Sequence, residues 1–329
     1  MKKIAVIGAG SWGTTLASLL ADKGNDVYMW VYEDDLAEEI REKGVNSKYL
    51  PGYKLPERLR ASSDIKEILK DAGYVLNVVP TQHARRVFET AISYISDDAL
   101  IINASKGIEK GTLLTVSGIL EEITGKGVAV LSGPSFAKEV IEKRPTAVTI
   151  ACGNSDEGAE LQRLFSTEYF RVYTNTDIIG TELGGALKNV MAIASGISDG
   201  LGLGSSTRAA LITRGLAEMT RMGVAMGGDE KTFGGLSGIG DLVLTCTGTL
   251  SRNYTVGFKL GKGESLKDIL AGMSMVAEGV ATSESAYELA RKHNVEMPII
   301  EQIYQVIKND KKAVDAVKEL MTRSLKTEY

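Results

Sequence analysis

The stretch that decides the fold lies at the start of the chain, where residues 3–23 read KIAVIGAGSWGTTLASLLADK. A short apolar run, Ile4–Ile7, predicts a buried strand, and Thr14–Lys23 has the length and composition of a helix. Between them, Gly8–Gly13 matches the pattern G-x-G-x-x-G. Glycines alone would be weak evidence, but this pattern between a strand and a helix is typical of a dinucleotide-binding turn.

The three glycines of this turn have separate roles in such a motif. Gly8 allows a tight turn, Gly10 lets the backbone approach a pyrophosphate, and Gly13 permits close packing of the helix on the strand. The amide groups at the start of the helix then face the phosphates. A purely structural turn is the alternative interpretation of the same residues.

Apolar, β-rich runs continue through the first half of the chain and alternate with stretches of helical length. The predicted strands are Ile4–Ile7, Val27–Trp30, Val75–Val79, Leu100–Asn103, Val128–Leu131, Ala147–Ala151 and Arg171–Tyr173. The predicted helices between them are Thr14–Lys23, Leu36–Lys43, Ala84–Ile95 and Leu113–Ile123. Continuous apolar strands separated by helices indicate a parallel sheet buried on both faces. The fold class is therefore α/β, with a Rossmann-type dinucleotide-binding sheet domain first.

Long helical patterns replace the strands after about residue 177. They cover Ile178–Ser198, Thr207–Met226, Ser283–His293, Pro298–Lys308 and Lys311–Arg323. We expect two domains, an NAD(P)-binding Rossmann-type domain at residues 1–177 and an all-helical substrate-binding domain at residues 178–329.

Composition and charge exclude several classes of protein. The chain has 38 Lys and Arg against 42 Asp and Glu, a net charge of −4, without the basic excess typical of nucleic-acid binding. Its two cysteines are too few for a disulfide scaffold, and its two histidines cannot build a multi-histidine metal site. No apolar run has the length of a signal-peptide core or a membrane helix. We expect a cytoplasmic protein with no metal, no membrane span and no nucleic-acid partner.

Six sequence blocks, in order along nearly the whole chain, resemble one family. They are GAGSWG at Gly8–Gly13, NSKYLPG at Asn46–Gly52, NASKGIE at Asn103–Glu109, LSGPSFA at Leu131–Ala137, ELGGALKNV at Glu182–Val190 and LSRNY at Leu250–Tyr254. Together they look like bacterial NAD(P)-dependent sn-glycerol-3-phosphate dehydrogenase. The resemblance implies a homodimer that interconverts dihydroxyacetone phosphate, a triose phosphate, and sn-glycerol 3-phosphate, and so supplies glycerophospholipid synthesis.

Lys188 is the candidate for proton transfer. Reduction of a ketone needs a proton donor at the oxygen and stabilisation of developing alkoxide charge. Lys188 lies in a predicted helix of small and apolar residues, where burial can bring a lysine pKa toward the working range. The resemblance implies that Lys188 is the catalytic acid and base and contacts the substrate; a satisfied structural lysine is the alternative.

Two further charged residues are candidates for the substrate site. Lys106 follows a strand end, and the resemblance implies contacts with substrate and cofactor, against the alternative of a surface lysine on a turn. Asp241 lies in a glycine-rich loop, where a carboxylate can bind the substrate hydroxyl, orient Lys188 or cap a helix. Thr245 and Asn189 are assigned assisting roles.

A phosphate anchor is predicted at Ser251-Arg252-Asn253, directly before a helical stretch at Tyr254–Leu260. Ser251 is a plausible N-cap, and a helix start beside an arginine offers amide donors, a dipole and a bidentate charge to an anion. The resemblance implies substrate contacts for all three residues. Helix capping with a solvated arginine is the alternative.

The resemblance assigns the remaining ligand contacts residue by residue. It implies substrate contacts at Gly133 and Ser135, and cofactor contacts at Ser11, Trp12, Ala137, Arg252, Val276 and Glu278. From the residues alone, Val276 would be a core residue and Glu278 an acid at the start of a helix.

The adenosine ribose is expected near Tyr32 and Glu33, about 20 residues beyond Gly13. A carboxylate at Glu33 can accept from a ribose 2′-hydroxyl and would repel a 2′-phosphate, whereas an ordinary acid at a helix start is the equal alternative. Tyr32 and Tyr49 could stack on adenine or serve as packing residues. Because neither Tyr32 nor Glu33 is basic, the sequence favours NAD over NADP.

Two other functions are compatible with the general pattern. Another two-domain dehydrogenase, acting on a hydroxy acid or a sugar acid, would share the fold and a helix-borne lysine but lack the Ser251-Arg252-Asn253 anchor. A non-catalytic dinucleotide-sensing module would not need Lys106, Lys188 and Asp241 together.

Overall fold

The computed structural model describes residues 2–273, 275–325 and 327–328. The chain forms two compact units: Met1–Lys106 with Leu114–Glu182, here called the sheet unit, and Gly107–Leu113 with Leu183–Tyr329, here called the helical unit. The two units divide inside a long helix, five residues after the domain boundary expected at 177/178. The domain boundary at 177/178 stays a prediction.

The sheet unit is built on an eight-stranded sheet with the order β10-β9-β8-β7-β6-β1-β2-β5, beside a separate β3-β4 pair. Its strands are β1 Lys3–Ile7, β2 Val27–Trp30, β3 Val45–Asn46, β4 Leu50–Lys54, β5 Leu59–Ser62, β6 Ala72–Asn77, β7 Leu100–Asn103, β8 Val128–Ser132, β9 Thr146–Ala151 and β10 Phe170–Asn175. The sequence indicated neither the β3-β4 pair nor β5, because β3 has only two residues and β4 (LPGYK) and β5 (LRAS) contain no continuous apolar run.

One pair of strands departs from the parallel arrangement. β8 and β9 are antiparallel, whereas the other neighbouring strands of the large sheet are parallel. A parallel return needs a crossover of about a dozen residues or more, usually a full helix. Residues 133–145 meet that length but contain only a five-residue helix, Ala137–Ile141, in place of a full crossover helix, and β9 runs back beside β8 in the opposite direction. The prediction of a parallel sheet is confirmed for the other strand pairs of the large sheet and was wrong at this pair.

The sheet is buried on both faces, as the apolar runs predicted. In β1, Ile4 and Val6 belong to one cluster of buried side chains, while Ala5 and Ile7 belong to another. Side chains alternate across a strand, so these two clusters are the cores above and below the sheet. The helices of this unit are α1 Ser11–Asp22, α2 Asp34–Lys43, α3 Ile65–Leu69, α4 Thr81–Ala91, α5 Val116–Thr124, α6 Ala137–Ile141 and α7 Ser155–Phe165.

Helices make up the helical unit, in which the described residues form no β-strand. They are α8 Ile178–Gly200, which begins in the sheet unit, α9 Gly204–Ala225, α10 Glu230–Phe233, a π-helix at Leu236–Gly240, α11 Asp241–Thr247, α12 Arg252–Gly261, α13 Leu266–Ala271, α14 Glu278–Lys292, α15 Pro298–Lys308 and α16 Ala313–Met321. Residues 183–198 of α8 are buried on every side, which makes α8 the central helix of this unit. The predicted order of a Rossmann-type domain followed by a helical domain is confirmed.

No helix in the described part of the chain combines the length and the apolar character needed to cross a membrane.

A buried acid holds one helix start within the helical unit. Glu218 of α9 is 1% exposed, and its two carboxylate oxygens accept hydrogen bonds from the backbone N–H groups of Ile299 (2.8 Å) and Ile300 (3.3 Å), at the start of α15. Burial raises the pKa of Glu218 to about 7, although these two bonds act in the opposite direction.

The raised pKa of Glu218 predicts a stability change between pH 5 and pH 8. The folded state holds this proton more tightly than the unfolded chain, so stability falls as the pH rises through the folded pKa. We expect the Tm of the wild type, compared with Glu218→Gln, to fall by about 5 °C across this range. Differential scanning calorimetry measures it, with Glu301→Gln, an exposed acid on α15, as the control. A Tm difference that is independent of pH would contradict the assignment.

Candidate active site

The glycine turn after β1 has the geometry of a phosphate cradle. Gly8 has φ +117°, and a Cβ at Gly13 would lie 2.0 Å from the carbonyl oxygen of Gly8, so no larger residue fits there without movement. A Cβ at Gly10, in contrast, would meet no atom within 4 Å. The turn is therefore tightly packed at Gly8 and Gly13 and open at Gly10. Gly10 lies at the N-terminus of α1, whose first residue is Ser11. A pyrophosphate group fits this arrangement.

A buried asparagine ties a second segment to the glycine turn. Asn46 is fully buried, and its Nδ2 donates to the carbonyl oxygen of Ala9 (2.9 Å) and to Thr14 Oγ1 (2.8 Å). Its Oδ1 accepts from the backbone N–H of Tyr49 (2.9 Å). The segment that carries Tyr49 is thus fixed against the turn. Asn46 begins one of the blocks that resemble the family, but its burial is not evident from the sequence.

Glu33 forms a small cluster with this segment. Its Oε1 accepts from Lys48 Nζ (2.8 Å) and from the Tyr49 hydroxyl (2.6 Å). Glu33 occupies the N-cap position of α2, but its side chain makes no capping hydrogen bond. Partial burial pushes the pKa of Glu33 upward, but the hydrogen bonds from Lys48 and Tyr49 outweigh it and hold the pKa below its ordinary value. Glu33 is therefore an ionised carboxylate oriented by two partners.

The aromatic candidates differ in their surroundings. Tyr32 is 70% exposed, and its ring meets that of Trp30 edge-on at 6.1 Å. Tyr49 and Trp12 are partly buried against the core of the sheet unit. The Trp12 Nε1 is a buried donor without a hydrogen-bond partner among the described residues. Tyr32 is therefore no packing residue of the core, whereas Trp12 and Tyr49 have a packing role beside any contact with a ligand.

Lys106 and Ser135 meet at one carbonyl group. Lys106 Nζ and Ser135 Oγ each lie 3.1 Å from the carbonyl oxygen of Gly133 and donate to it. Gly133 has φ +143°, and a Cβ there would lie 2.9 Å from the Cα of Val148, so glycine is required. The structure therefore brings these three predicted residues together. Ala137 is the first residue of α6, and its carbonyl oxygen accepts from Thr15 Oγ1 of α1 (3.3 Å).

The loop that carries Lys106 is held by a buried polar network which the sequence did not reveal. Glu182 is fully buried and accepts hydrogen bonds from Asn103 Nδ2 (2.8 Å) and from the backbone N–H (2.9 Å) and hydroxyl of Ser117. Asn103 Oδ1 also accepts from the backbone N–H of Ser105 (3.0 Å). Burial raises the pKa of Glu182, against the effect of these bonds. The network fixes the chain directly before Lys106.

The centre of the helical unit holds a buried ion pair. Lys188 of α8 is 7% exposed, and its Nζ lies 2.5 Å from Asp241 Oδ1 and 2.9 Å from Thr245 Oγ1. The Thr245 hydroxyl donates to the backbone carbonyl of Asp241 (2.6 Å). Asp241 is the first residue of α11, while the N-cap is Gly240, so Asp241 orients Lys188 rather than capping the helix. The arrangement is an ammonium group held in place by a carboxylate and a hydroxyl.

Close backbone approach makes this ion pair possible. A Cβ at Gly184 would lie 2.4 Å from the carbonyl oxygen of Ser237, in the π-helix that leads into Asp241. Because Gly184 has no side chain, this segment lies directly against α8, one turn before Lys188.

A pair of asparagines links α8 to two other helix starts. Asn253 Nδ2 donates to Asn189 Oδ1 (2.9 Å), and Asn253 Oδ1 accepts from the backbone N–H of Gly279 (2.9 Å). Asn253 lies in the first turn of α12, and Glu278 is the first residue of α14. The expectation of an acid at a helix start is confirmed for Glu278. The starts of α12 and α14 are both linked to Asn189, the residue that follows Lys188.

The predicted phosphate anchor lies at the start of α12. Ser251 is the N-cap, and its Oγ accepts from the backbone N–H of Tyr254 (3.2 Å), as expected. Arg252 is exposed and donates from Nη1 to the carbonyl oxygen of Val276 (2.8 Å). Val276 is 50% exposed, so the expectation of a core residue from the sequence alone was wrong. Arg252 and Val276 are neighbours, as two residues that contact one ligand would be.

The described residues contain no group of three or more His, Cys, Asp or Glu that could hold a metal ion. The two cysteines, Cys152 and Cys246, are buried and unpaired, and burial raises the pKa of the Cys246 thiol to about 12.

A phosphate cradle on a Rossmann-type sheet and a buried lysine–aspartate pair in a helical unit define the class of two-domain NAD(P)-dependent dehydrogenases. Family models for NAD-dependent glycerol-3-phosphate dehydrogenase match the chain at residues 3–158 (N-terminus) and 177–318 (C-terminus). The chain belongs to this family.

Relatives match it over nearly their whole length. The glycerol-3-phosphate dehydrogenases (NAD(P)+) of Citrifermentans bemidjiense and Geobacter sulfurreducens are 58% and 56% identical over 99% of both chains. The crystal structure of glycerol-3-phosphate dehydrogenase from Coxiella burnetii superposes with a TM-score of 0.95 at 43% identity, covering 98% of this chain and 99% of that one.

The open space above Gly10 yields a prediction for dinucleotide binding. Gly10 has φ −63°, which alanine adopts readily, so Gly10→Ala should leave the Tm unchanged. The added methyl group would occupy the cradle, and we expect the affinity for NAD+ to fall by roughly 10-fold or more. Isothermal titration calorimetry measures it. Gly127→Ala, which also adds a methyl group into open space, is the control; equal NAD+ affinity in both variants would contradict the cradle.

Proposed function

We propose that this chain catalyses the reversible reduction of dihydroxyacetone phosphate to sn-glycerol 3-phosphate with NAD(P)H. The observation that carries the proposal is the buried Lys188–Asp241–Thr245 cluster, in a chain of the glycerol-3-phosphate dehydrogenase family. A nicotinamide dinucleotide, when bound, supplies the hydride. The turn at Gly8–Gly13 is its proposed phosphate site, with Ser11 and Trp12 beside it.

Lys188 is proposed as the acid and base of the reaction. Asp241 and Thr245 hold its Nζ at one place, so the proton is delivered to a defined point. In the direction of reduction the ammonium group gives a proton to the ketone oxygen, and its charge stabilises the developing alkoxide. In the direction of oxidation the amine takes the proton from the hydroxyl group. Asn189 supports this role through its bond with Asn253.

The substrate phosphate is proposed to bind at the start of α12. Ser251, Arg252 and Asn253 begin this helix, where amide groups and the helix dipole favour an anion. Arg252 is an exposed residue, and its guanidinium can offer two parallel donors to phosphate oxygens. Asn253 makes two hydrogen bonds within the protein, which suits a residue that holds the anchor in shape.

Lys106, Gly133 and Ser135 are proposed as further substrate contacts. Lys106 Nζ and Ser135 Oγ share the Gly133 carbonyl oxygen, so a ligand would meet a lysine and a hydroxyl at one position. Lys106 is also proposed to contact the cofactor, as are Ala137, Arg252, Val276 and Glu278. The half-exposed Val276 beside Arg252 supports this assignment.

NADH is proposed to serve at least as well as NADPH. Glu33 is ionised and held by Lys48 and Tyr49 next to the segment that Asn46 ties to the glycine turn. A carboxylate oriented in this way can accept from a ribose 2′-hydroxyl. Tyr32 and Tyr49 are proposed to lie beside the adenosine group.

The proposed reaction also implies a metabolic role. The product would supply glycerophospholipid synthesis. The homodimer rests on the resemblance of the sequence to the family, and the cytoplasmic location is supported by two unpaired cysteines.

Steady-state oxidation of NADH with two ketones tests the proposal. The wild type should turn over dihydroxyacetone phosphate and use unphosphorylated dihydroxyacetone poorly. Arg252→Ala should raise the KM for dihydroxyacetone phosphate by about 10-fold or more, because a charge-assisted bidentate contact is lost. Turnover of dihydroxyacetone should be almost unaffected.

Lys259→Ala, a surface lysine on the same helix, is the matched control. Equal losses for both ketones in Arg252→Ala would exclude a phosphate role. Turnover of a hydroxy acid or sugar acid in preference to the triose phosphate would favour the other dehydrogenase, and binding of NAD+ without any turnover would favour the sensing module.

A further inference from the structure

We infer that Lys48 is the residue that lets this chain accept a phosphate on the 2′ position of the adenosine ribose, and that Glu33 and Lys48 together set the choice between NAD and NADP. This inference rests on the proposed dinucleotide site. Neither Tyr32 nor Glu33 is basic, so the positive charge for a 2′-phosphate has to come from another residue, and we assign it to Lys48.

The contacts of Glu33 leave one carboxylate oxygen outside the cluster. Lys48 Nζ and the Tyr49 hydroxyl both donate to Oε1, at 2.8 and 2.6 Å, and neither donates to Oε2. One oxygen thus fixes the carboxylate, while the other can accept from a ligand hydroxyl. The bond to Glu33 in turn raises the pKa of Lys48, so the lysine keeps its charge.

The position of Lys48 is set by the glycine turn itself. Asn46 donates to the Ala9 carbonyl oxygen and accepts from the backbone N–H of Tyr49, so the chain is held two residues before Lys48 and one residue after it. Ala9 lies between Gly8 and Gly10 of the proposed pyrophosphate site. The backbone of Lys48 is therefore held near the proposed nucleotide site by a buried anchor, and its side chain is bonded to Glu33.

The charges around Glu33 make Lys48 decisive for an anion. Asp34 and Asp35 follow Glu33 in the first turn of α2 and are exposed, so three carboxylates lie in sequence at this edge. The helix dipole offsets part of that charge, since an anion is favoured at a helix start. Lys48, whose side chain is 49% exposed, is bonded to the first of these acids, Glu33. Without Lys48, its positive charge would no longer offset these carboxylates for a 2′-phosphate.

The Glu33–Lys48 pair can therefore bind the adenosine ribose of either NAD or NADP. A ribose 2′-hydroxyl donates to Glu33 while the pair stays intact. A 2′-phosphate draws the Lys48 ammonium group away from Glu33 and pairs with it, at the cost of one partly exposed ion pair. Removal of the lysine and removal of the carboxylate charge should thus change the nucleotide preference in opposite directions.

Binding of NAD+ and NADP+, which differ only in the 2′-phosphate, tests the inference without any turnover. Isothermal titration calorimetry on the intact chain gives the ratio of the NADP+ Kd to the NAD+ Kd. We expect Lys48→Met to raise this ratio by about 10-fold, since a charge-assisted contact to the phosphate is lost. We expect Glu33→Gln to lower it by a similar factor of about 10, because the repelling charge is gone.

Lys54→Met is the matched control, because Lys54 lies in β4 and its Nζ donates to the backbone carbonyl of Lys43. Its ratio should equal that of the wild type. The effect in Lys48→Met should also shrink as salt concentration rises, since the contact is electrostatic and partly exposed.

An unchanged ratio in Lys48→Met, or a ratio that rises in Glu33→Gln, would overturn the inference and leave the proposed function intact. A wild type that binds neither nucleotide would overturn both.

Discussion

The buried charge of Lys188 is the constraint around which the helical unit is built. Taking an ammonium group into an apolar helix costs several kcal/mol unless a partner compensates it. Asp241 Oδ1, at 2.5 Å, is that partner, and Thr245 adds a second acceptor. The glycine at position 184 brings the backbone before Asp241 against α8, so the ion pair depends on a close approach that a side chain would prevent.

The sheet unit depends in a similar way on buried amide and carboxylate side chains. Asn46 ties the segment of Lys48 and Tyr49 to the glycine turn, and Glu182 with Asn103 fixes the loop that carries Lys106. Each of these groups is buried and hydrogen-bonded on several sides, which makes its loss costly and its geometry well defined. The proposed ligand-binding side chains Lys48, Tyr49 and Lys106 are therefore positioned by buried polar residues.

Much of the fold and part of the site could be predicted from the sequence because the signals are local. The glycine turn needs only its own six residues and its neighbours, and Lys188 is conspicuous as a charge in an apolar helix. Asn46 and Glu182 could not be found in this way, since their partners lie 37 and 65 residues away and a polar residue does not reveal its own burial. The antiparallel β8-β9 pair was missed for a related reason, because direction is set by the connection and not by the strand itself.

The central claim is that Lys188 and Asp241 act as one unit in proton transfer. A double-mutant cycle on the rate of dihydroxyacetone phosphate reduction, with Lys188→Met, Asp241→Asn and the double variant at saturating NADH, tests it most directly. Residues that act as a unit are strongly non-additive, so the double variant should be slower than Lys188→Met alone by no more than about 3-fold. A loss in the double variant equal to the product of the two single losses would contradict the claim.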